Sequence, residues 1–367
     1  MSDPRIEKLA KVLAHYSLKI KRGDLVRIAG PALAEPLMRA MFVEALDVGA
    51  YPFGRVMLQG QEELYYRRAS DDQLKFVSEI DRLEMERVDA TLTILGKWNT
   101  RELTSVDPQR IRLRREATRE LQHRFLERAA KGELRWCGTQ YPTHAEAQDA
   151  EMSLSEYEDF VFTAGLLDRP DPVAAWENVR GEQDRITRFL GEKKSLKIKG
   201  PDVDLAISVA GRTWVNAAGE YNFPDGEVFT GPVEDSVNGR VRFTYPGIYG
   251  GREVEGVELL FEQGKVTQAR ATKGEDFLHS MLDIDQGARF LGEFAFGLNY
   301  NIQQFTRNIL FDEKIGGTLH MALGLGYPET GSKNVSGLHW DLICDLRNGA
   351  EVLGDGEVIY RNGRFTL

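Results

Sequence analysis

The residues best placed to do chemistry lie between Glu313 and Leu346, a stretch that holds His320, His339 and Asp341. Around the last two, Leu338, Trp340, Leu342 and Cys344 alternate with His339, Asp341, Ile343 and Asp345. Such alternation predicts a strand, on which residues two apart share a face, so His339 and Asp341 point the same way. Upstream, Thr318 to Ala322 also reads as a strand, and the Gly/Pro/Ser-rich run GLGYPETGSKN between them reads as a loop. If that loop returns the chain, His320, His339 and Asp341 converge on one point. Two imidazoles and a carboxylate form a ligand set for a divalent metal. A bare His-x-Asp pair is also common as a plain hydrogen-bonded pair, and pattern alone leaves both readings open.

Two more acids stand out. Glu293 lies in the apolar run FLGEFAFG (290–297), where a carboxylate needs either a metal or an ion-pair partner. Arg289 and Arg307 are the candidate partners for the second case. Glu227 follows the Pro-Asp-Gly turn in NFPDGEVFT, at the start of an expected strand, where either a site residue or a solvated turn residue fits.

Elements to position these residues can be read on both sides of residue 190. In the first half, helices expected at 6–16, 36–46, 71–87, 112–130, 149–166 and 172–190 alternate with strands at 24–29, 54–58, 90–95 and 134–137. That alternation predicts an α/β N-terminal domain with a largely parallel sheet. Beyond Lys193, short alternating segments separated by Gly and Asn turns predict a predominantly antiparallel β (α+β) C-terminal metal-binding domain, with a helix near 280–285. The expected domains are 1–190 and 191–367.

Composition excludes several functions. The 367 residues are 42% hydrophobic and 28% charged, with a formal net charge of −10, which argues against a nucleic-acid binder. Neither a dinucleotide-binding GxGxxG after a strand nor a phosphate-binding GxxxxGK[ST] occurs. The two cysteines, Cys137 and Cys344, lack CxxC spacing, so neither a disulfide framework nor a thiolate zinc site is expected. No apolar run reaches the roughly 20 residues of a membrane span, and the N-terminus has no secretory apolar region. The expected location is the cytoplasm.

Four stretches carry a family resemblance: NFPDGEVFTGP (222–232), GARFLGEFAFGLN (287–299), DEKIGGTLHMALGLGYPETG (312–331) and SGLHWDL (336–342). Together with PTHAEAQDAEMSLSEYEDF (142–160) they resemble, in order and spacing, the thermophilic aminopeptidase family M29. The resemblance covers essentially the whole chain. It implies a metallo-aminopeptidase acting on peptides, usually a homodimer, with two divalent ions (Zn, Co, Mn or Mg). Position by position, the metal ligands would be Glu227, Glu293, His320, His339 and Asp341, and its place between apolar residues makes Glu293 the expected bridge. Tyr327 would be the active-site tyrosine, while Glu313 is the nearest acid for proton transfer, read here as a structural ion pair. The alternative is a non-haem Fe(II) ring-cleaving dioxygenase. A dihydroxypyridine dioxygenase resembles this peptidase fold, and His320, His339 and Asp341 would supply its facial triad.

Overall fold

The computed structural model describes residues 3–367. The chain forms two compact units. One comprises the residues up to Trp176 together with Gly219–Pro224, and the other comprises Glu177–Ala218 and Asp225–Leu367.

The first unit is built on a parallel five-stranded sheet in the order Tyr51–Met57, Leu25–Pro31, Ala90–Leu95, Arg135–Gln140, Asn222–Phe223. Its connecting helices start where the sequence supplies caps. Asp107 accepts from the Gln109 amide ahead of Pro108–Ala130, with Pro108 in the first turn, where its missing N–H is not needed. The single helix expected over 71–87 is instead two, Asp71–Lys75 and Glu79–Arg87. The reason is local: Ser70 caps the first and Ser78 the second, so the chain restarts. The helix expected over 149–166 likewise starts at Leu154, behind a reciprocal Ser153–Glu156 capping box, after a separate short helix His144–Asp149.

The helix Pro172–Gly191 runs through the division between the units at Trp176/Glu177, which lies earlier than the boundary expected near residue 190. Its last turns explain the offset, because Leu190 is buried in the second unit's core, with Ile186 and Phe189 against it.

The second unit contains two large antiparallel sheets and a two-stranded one, Gly247–Tyr249 with Arg252–Val254. The eight-stranded sheet runs from Lys265–Arg270 to Arg364–Phe365. The five-stranded sheet has the order His339–Asp345, Thr318–Gly324, Leu291–Gly297, Glu227–Thr230, Val215–Ala217. Leu196, Ile198, Leu205, Val241 and Leu259 of the first sheet share one core with Phe294, Phe296, Leu319, Met321, Trp340 and Leu342 of the second. The strands Thr318–Gly324 and His339–Asp345 spend every second residue on this core, as do Phe294 and Phe296 of Leu291–Gly297 and Val228 of Glu227–Thr230, which leaves the other face for the acids and histidines. Among the described residues, no helix is long and apolar enough to cross a membrane.

Candidate metal centre

The strand with His320 and the strand with His339 pair antiparallel, as the loop between them suggests, with His339 opposite Gly324, Asp341 opposite Ala322 and His320 opposite Ile343. On its other side, the His320 strand pairs with the Glu293 strand, which places Glu293 opposite Ala322 and Ala295 opposite His320. Glu227 enters one strand further on, opposite Gly297. Cross-strand partners share a face, so all five expected ligands rise from one face of the sheet. Cys344 lies on the core face. Asp341, Ala322 and Glu293 form one row, in which the small methyl of Ala322 leaves room between two carboxylates.

Glycines allow the close approaches. Gly226, with φ +126°, turns the chain into Glu227, and a Cβ there would meet Asn299 at 2.8 Å. At Gly292 a Cβ would lie 2.1 Å from the Leu325 carbonyl, so only glycine lets that loop pass beside Glu293.

The side chains meet at contact distance. Glu227 Oε2 is 3.3 Å and Glu293 Oε1 is 3.6 Å from His320 Nε2, while Glu293 Oε2 and Asp341 Oδ1 are each 3.5 Å from His339 Nε2. The partners once available to Glu293 are engaged elsewhere. Arg289 pairs with Asp283 at 2.7 Å and Arg307 with Glu253 at 3.2 Å. Glu293 pairs with neither arginine, and its charged partners are the two histidines instead.

Three sets of groups lie close enough to hold a cation: Glu227, Glu293 and His320; Glu293, His339 and Asp341; and Glu313, His320 and Asp341. Among the described residues, His320, His339 and Asp341 do not converge as a set of three, contrary to the expectation from spacing. Register explains it. His339 sits opposite Gly324, four residues from His320, a span of about 13 Å along a strand, and Glu293 reaches in between them.

The donor chemistry fits a metal. His320 Nδ1 is 2.9 Å from the Glu313 carbonyl and His339 Nδ1 is 2.9 Å from the Leu325 carbonyl. A carbonyl only accepts, so each Nδ1 carries a proton and each Nε2 faces the cluster, where a bound cation would take the place of its proton, the arrangement common to metal-binding histidines. Glu227 Oε2 and Asp341 Oδ1 are buried oxygens without a hydrogen-bond partner, and both face into the cluster.

Electrostatics is correspondingly perturbed. Burial lifts Glu227 to about 8. Burial would depress both imidazoles, but the facing carboxylates override it and raise His320 to about 9 and His339 to about 11. Burial also acts to raise Glu293 and Asp341, yet the histidines facing them hold both below their ordinary values. Tyr327 stands at the open end, 37% exposed. Its hydroxyl is 3.5 Å from His339 Nε2, and its ring packs against Phe229 and His339. Desolvation and four nearby carboxylates push its phenol well above the usual range, so it stays a proton donor.

Spacing alone missed two residues. Lys314 is fully buried against Glu227, Asp225 and Glu313, and Asp225 precedes the Gly226 turn. The signal was the charged run Asp312-Glu313-Lys314 directly before an apolar strand, which burial turns into an internal ion cluster.

Residues 2–365 match the model of the thermophilic metalloprotease family M29. The chain belongs to that family. It is 28% identical over 411 residues to "Aminopeptidase 2" of Geobacillus stearothermophilus, covering 100% of this chain and 98% of the relative. The solved structure "Wild-type AmpT from Thermus thermophilus" superposes with a TM-score of 0.86 at 26% identity, over 99% of both chains. The 2,5-dihydroxypyridine dioxygenase of Pseudomonas putida KT2440 superposes with a TM-score of 0.58 at 13% identity, covering 100% of this chain and 98% of that one. That second likeness is one of fold. As an M29 member the chain is a metallopeptidase-family enzyme, and the expected parallel-then-antiparallel architecture is the one found.

Proposed function

We propose that this enzyme is an aminopeptidase that hydrolyses the first peptide bond of peptides with a co-catalytic pair of divalent ions. Glu227, Glu293 and His320 would hold one ion and Glu293, His339 and Asp341 the other. The observation that carries this reading is Glu293, whose two oxygens face two different histidines. Charge supports it too. Asp225, Glu227, Glu293, Glu313 and Asp341 set five carboxylates against the one ammonium of Lys314. With the acids ionised and the histidines neutral, as they would be around bound cations, the excess is four negative charges, which two divalent cations balance.

Bound ions of this kind supply Lewis acidity and a nucleophilic water at neutral pH. The chain's own groups do the rest. Tyr327, protonated and at the accessible end, donates its hydroxyl to the oxygen that gains charge as the peptide carbonyl becomes tetrahedral. A free N-terminal amine has a lone pair that a bound cation would accept, and an acetylated amide has none, which would favour unblocked peptides. Glu313 is held by Lys314, which supports its reading as a structural ion-pair member.

The dioxygenase alternative needs His320, His339 and Asp341 as one triad, and the geometry does not favour that grouping. The homodimer and the cytoplasmic location rest on the family resemblance and the reading of the sequence. That both cysteines are buried and free is compatible with a reducing compartment.

The test compares free and N-acetylated forms of the same short peptides on metal-loaded enzyme. Release of the first residue from the free peptides alone, abolished by a chelator and restored by Zn, Co or Mn, is the expected result. Equal cleavage of both forms would rule out the aminopeptidase reading.

A further inference from the structure

Lys314 touches one end of the cluster only. Its side chain is 0% exposed, and Nζ lies 3.4 Å from Glu227 Oε1 and 3.8 Å from Asp225 Oδ1, in close contact with Glu313 Oε1. An ammonium so deeply buried is tolerable because three carboxylates surround it. Those carboxylates come from two separate segments, the turn leading into the Glu227 strand and the residue just before Lys314. The contacts of Glu227 divide cleanly. One oxygen faces Lys314, while the other faces His320 Nε2 at 3.3 Å and has no hydrogen-bond partner. At the opposite end, His339, Asp341 and Glu293 contact one another, and no lysine pairs with them among the described residues.

A carboxylate rotates about its last bond, so a partner that fixes one oxygen also fixes the direction of the other. Groups that hold a ligand in this way govern how well the ligand binds metal. We propose that Lys314 is a positioning residue for Glu227. It holds one oxygen so that the other stays aimed at His320, and it thereby sets divalent-cation affinity at the Glu227–Glu293–His320 position far more than at the Glu293–His339–Asp341 position. This inference rests on the two-ion reading above.

The experiment titrates Zn(II) into metal-free, full-length wild type, Lys314→Met and Lys314→Gln by calorimetry, with bound zinc counted by mass spectrometry and thermal melts recorded alongside. Wild type should take up two ions. In each variant one ion should bind about 10–100-fold more weakly, the range for losing a group that orients a ligand, and the affinity of the other should change far less. Equal weakening of both ions with a lowered Tm would make Lys314 a general structural charge and overturn the proposal. Unchanged affinity for both ions would overturn it as well. If Lys314→Met fails to fold, Lys314→Gln decides by the same criteria, and failure of both to fold counts against a positioning role. A wild type that binds a single ion sinks the two-ion reading separately. Lys314 then stands or falls on whether the variants weaken that one ion.

Discussion

Both units bury carboxylates, and Glu146 of the first is handled differently from Glu293 of the second. In the first unit, Glu146 Oε2 accepts from Gln140 Nε2 at 2.5 Å and Thr143 Oγ1 at 3.0 Å. Burial lifts its carboxyl to about 7, but its side-chain donors come from one short stretch of chain, and no set of groups able to hold a cation includes it among the described residues. In the second unit, Glu293 is met by two histidines on separate strands, within a cluster that leaves Glu227 Oε2 and Asp341 Oδ1 unbonded. A buried, perturbed acid is thus no mark of a site by itself. What marks one is convergence from several strands, with lone pairs left over.

Substitutions that remove one charge and little volume sharpen this contrast. Glu293→Gln should cost the most: kcat should fall by about 10³-fold or more, since both cation sets share this carboxylate, and the fold should persist. Near wild-type turnover in that variant would reduce Glu293 to the status of Glu146. Next in size is Tyr327→Phe, which keeps the ring against Phe229 and deletes the hydroxyl. A fall in kcat of roughly 10²–10³, about 2.7–4 kcal/mol, with KM little changed, is the signature of an oxyanion donor. Unaltered kcat with a lowered Tm would make Tyr327 a packing residue.

Much of the site was legible because strands impose a period of two. His339 and Asp341 had to share a face, and the core-facing residues Trp340, Leu342 and Cys344 lie where alternation puts them. Partner choice was not legible, because it depends on register. Nothing local says that Glu293 sits opposite Ala322, or that Arg289 turns away to Asp283. The same holds for Lys314, whose neighbours Glu227 and Asp225 are remote in sequence. In the first unit, the strand–helix alternation predicts the parallel sheet, while the serines at 70, 78 and 153 that restart helices are masked by the longer periodic runs around them.

The smallest expected effect concerns the lone acid. Glu146 rises from 4.5 to about 7 on folding, so the folded chain binds its proton more tightly than the unfolded chain does. The associated stability is fully present below about pH 4.5 and is lost as pH rises through about 7. Glu146→Gln should flatten that part of the pH dependence, by about 1–3 kcal/mol across the window, with peptidase activity unchanged. Asp312, raised by burial to about 7 as well, keeps part of the slope in place. Melts from pH 4.5 to 8 check this. A Glu146→Gln curve parallel to wild type would contradict the burial argument, and lost activity would erase the distinction between the two acids.

The claim that Glu293 joins two cation positions is tested most directly by anomalous diffraction at the zinc edge from crystals of the zinc-loaded enzyme. Two peaks about 3.5–4 Å apart, one on each side of the Glu293 carboxylate, are expected for a co-catalytic pair, with His320 and Glu227 at one and His339 and Asp341 at the other. A single peak at full occupancy, or two peaks that leave Glu293 untouched, would contradict it.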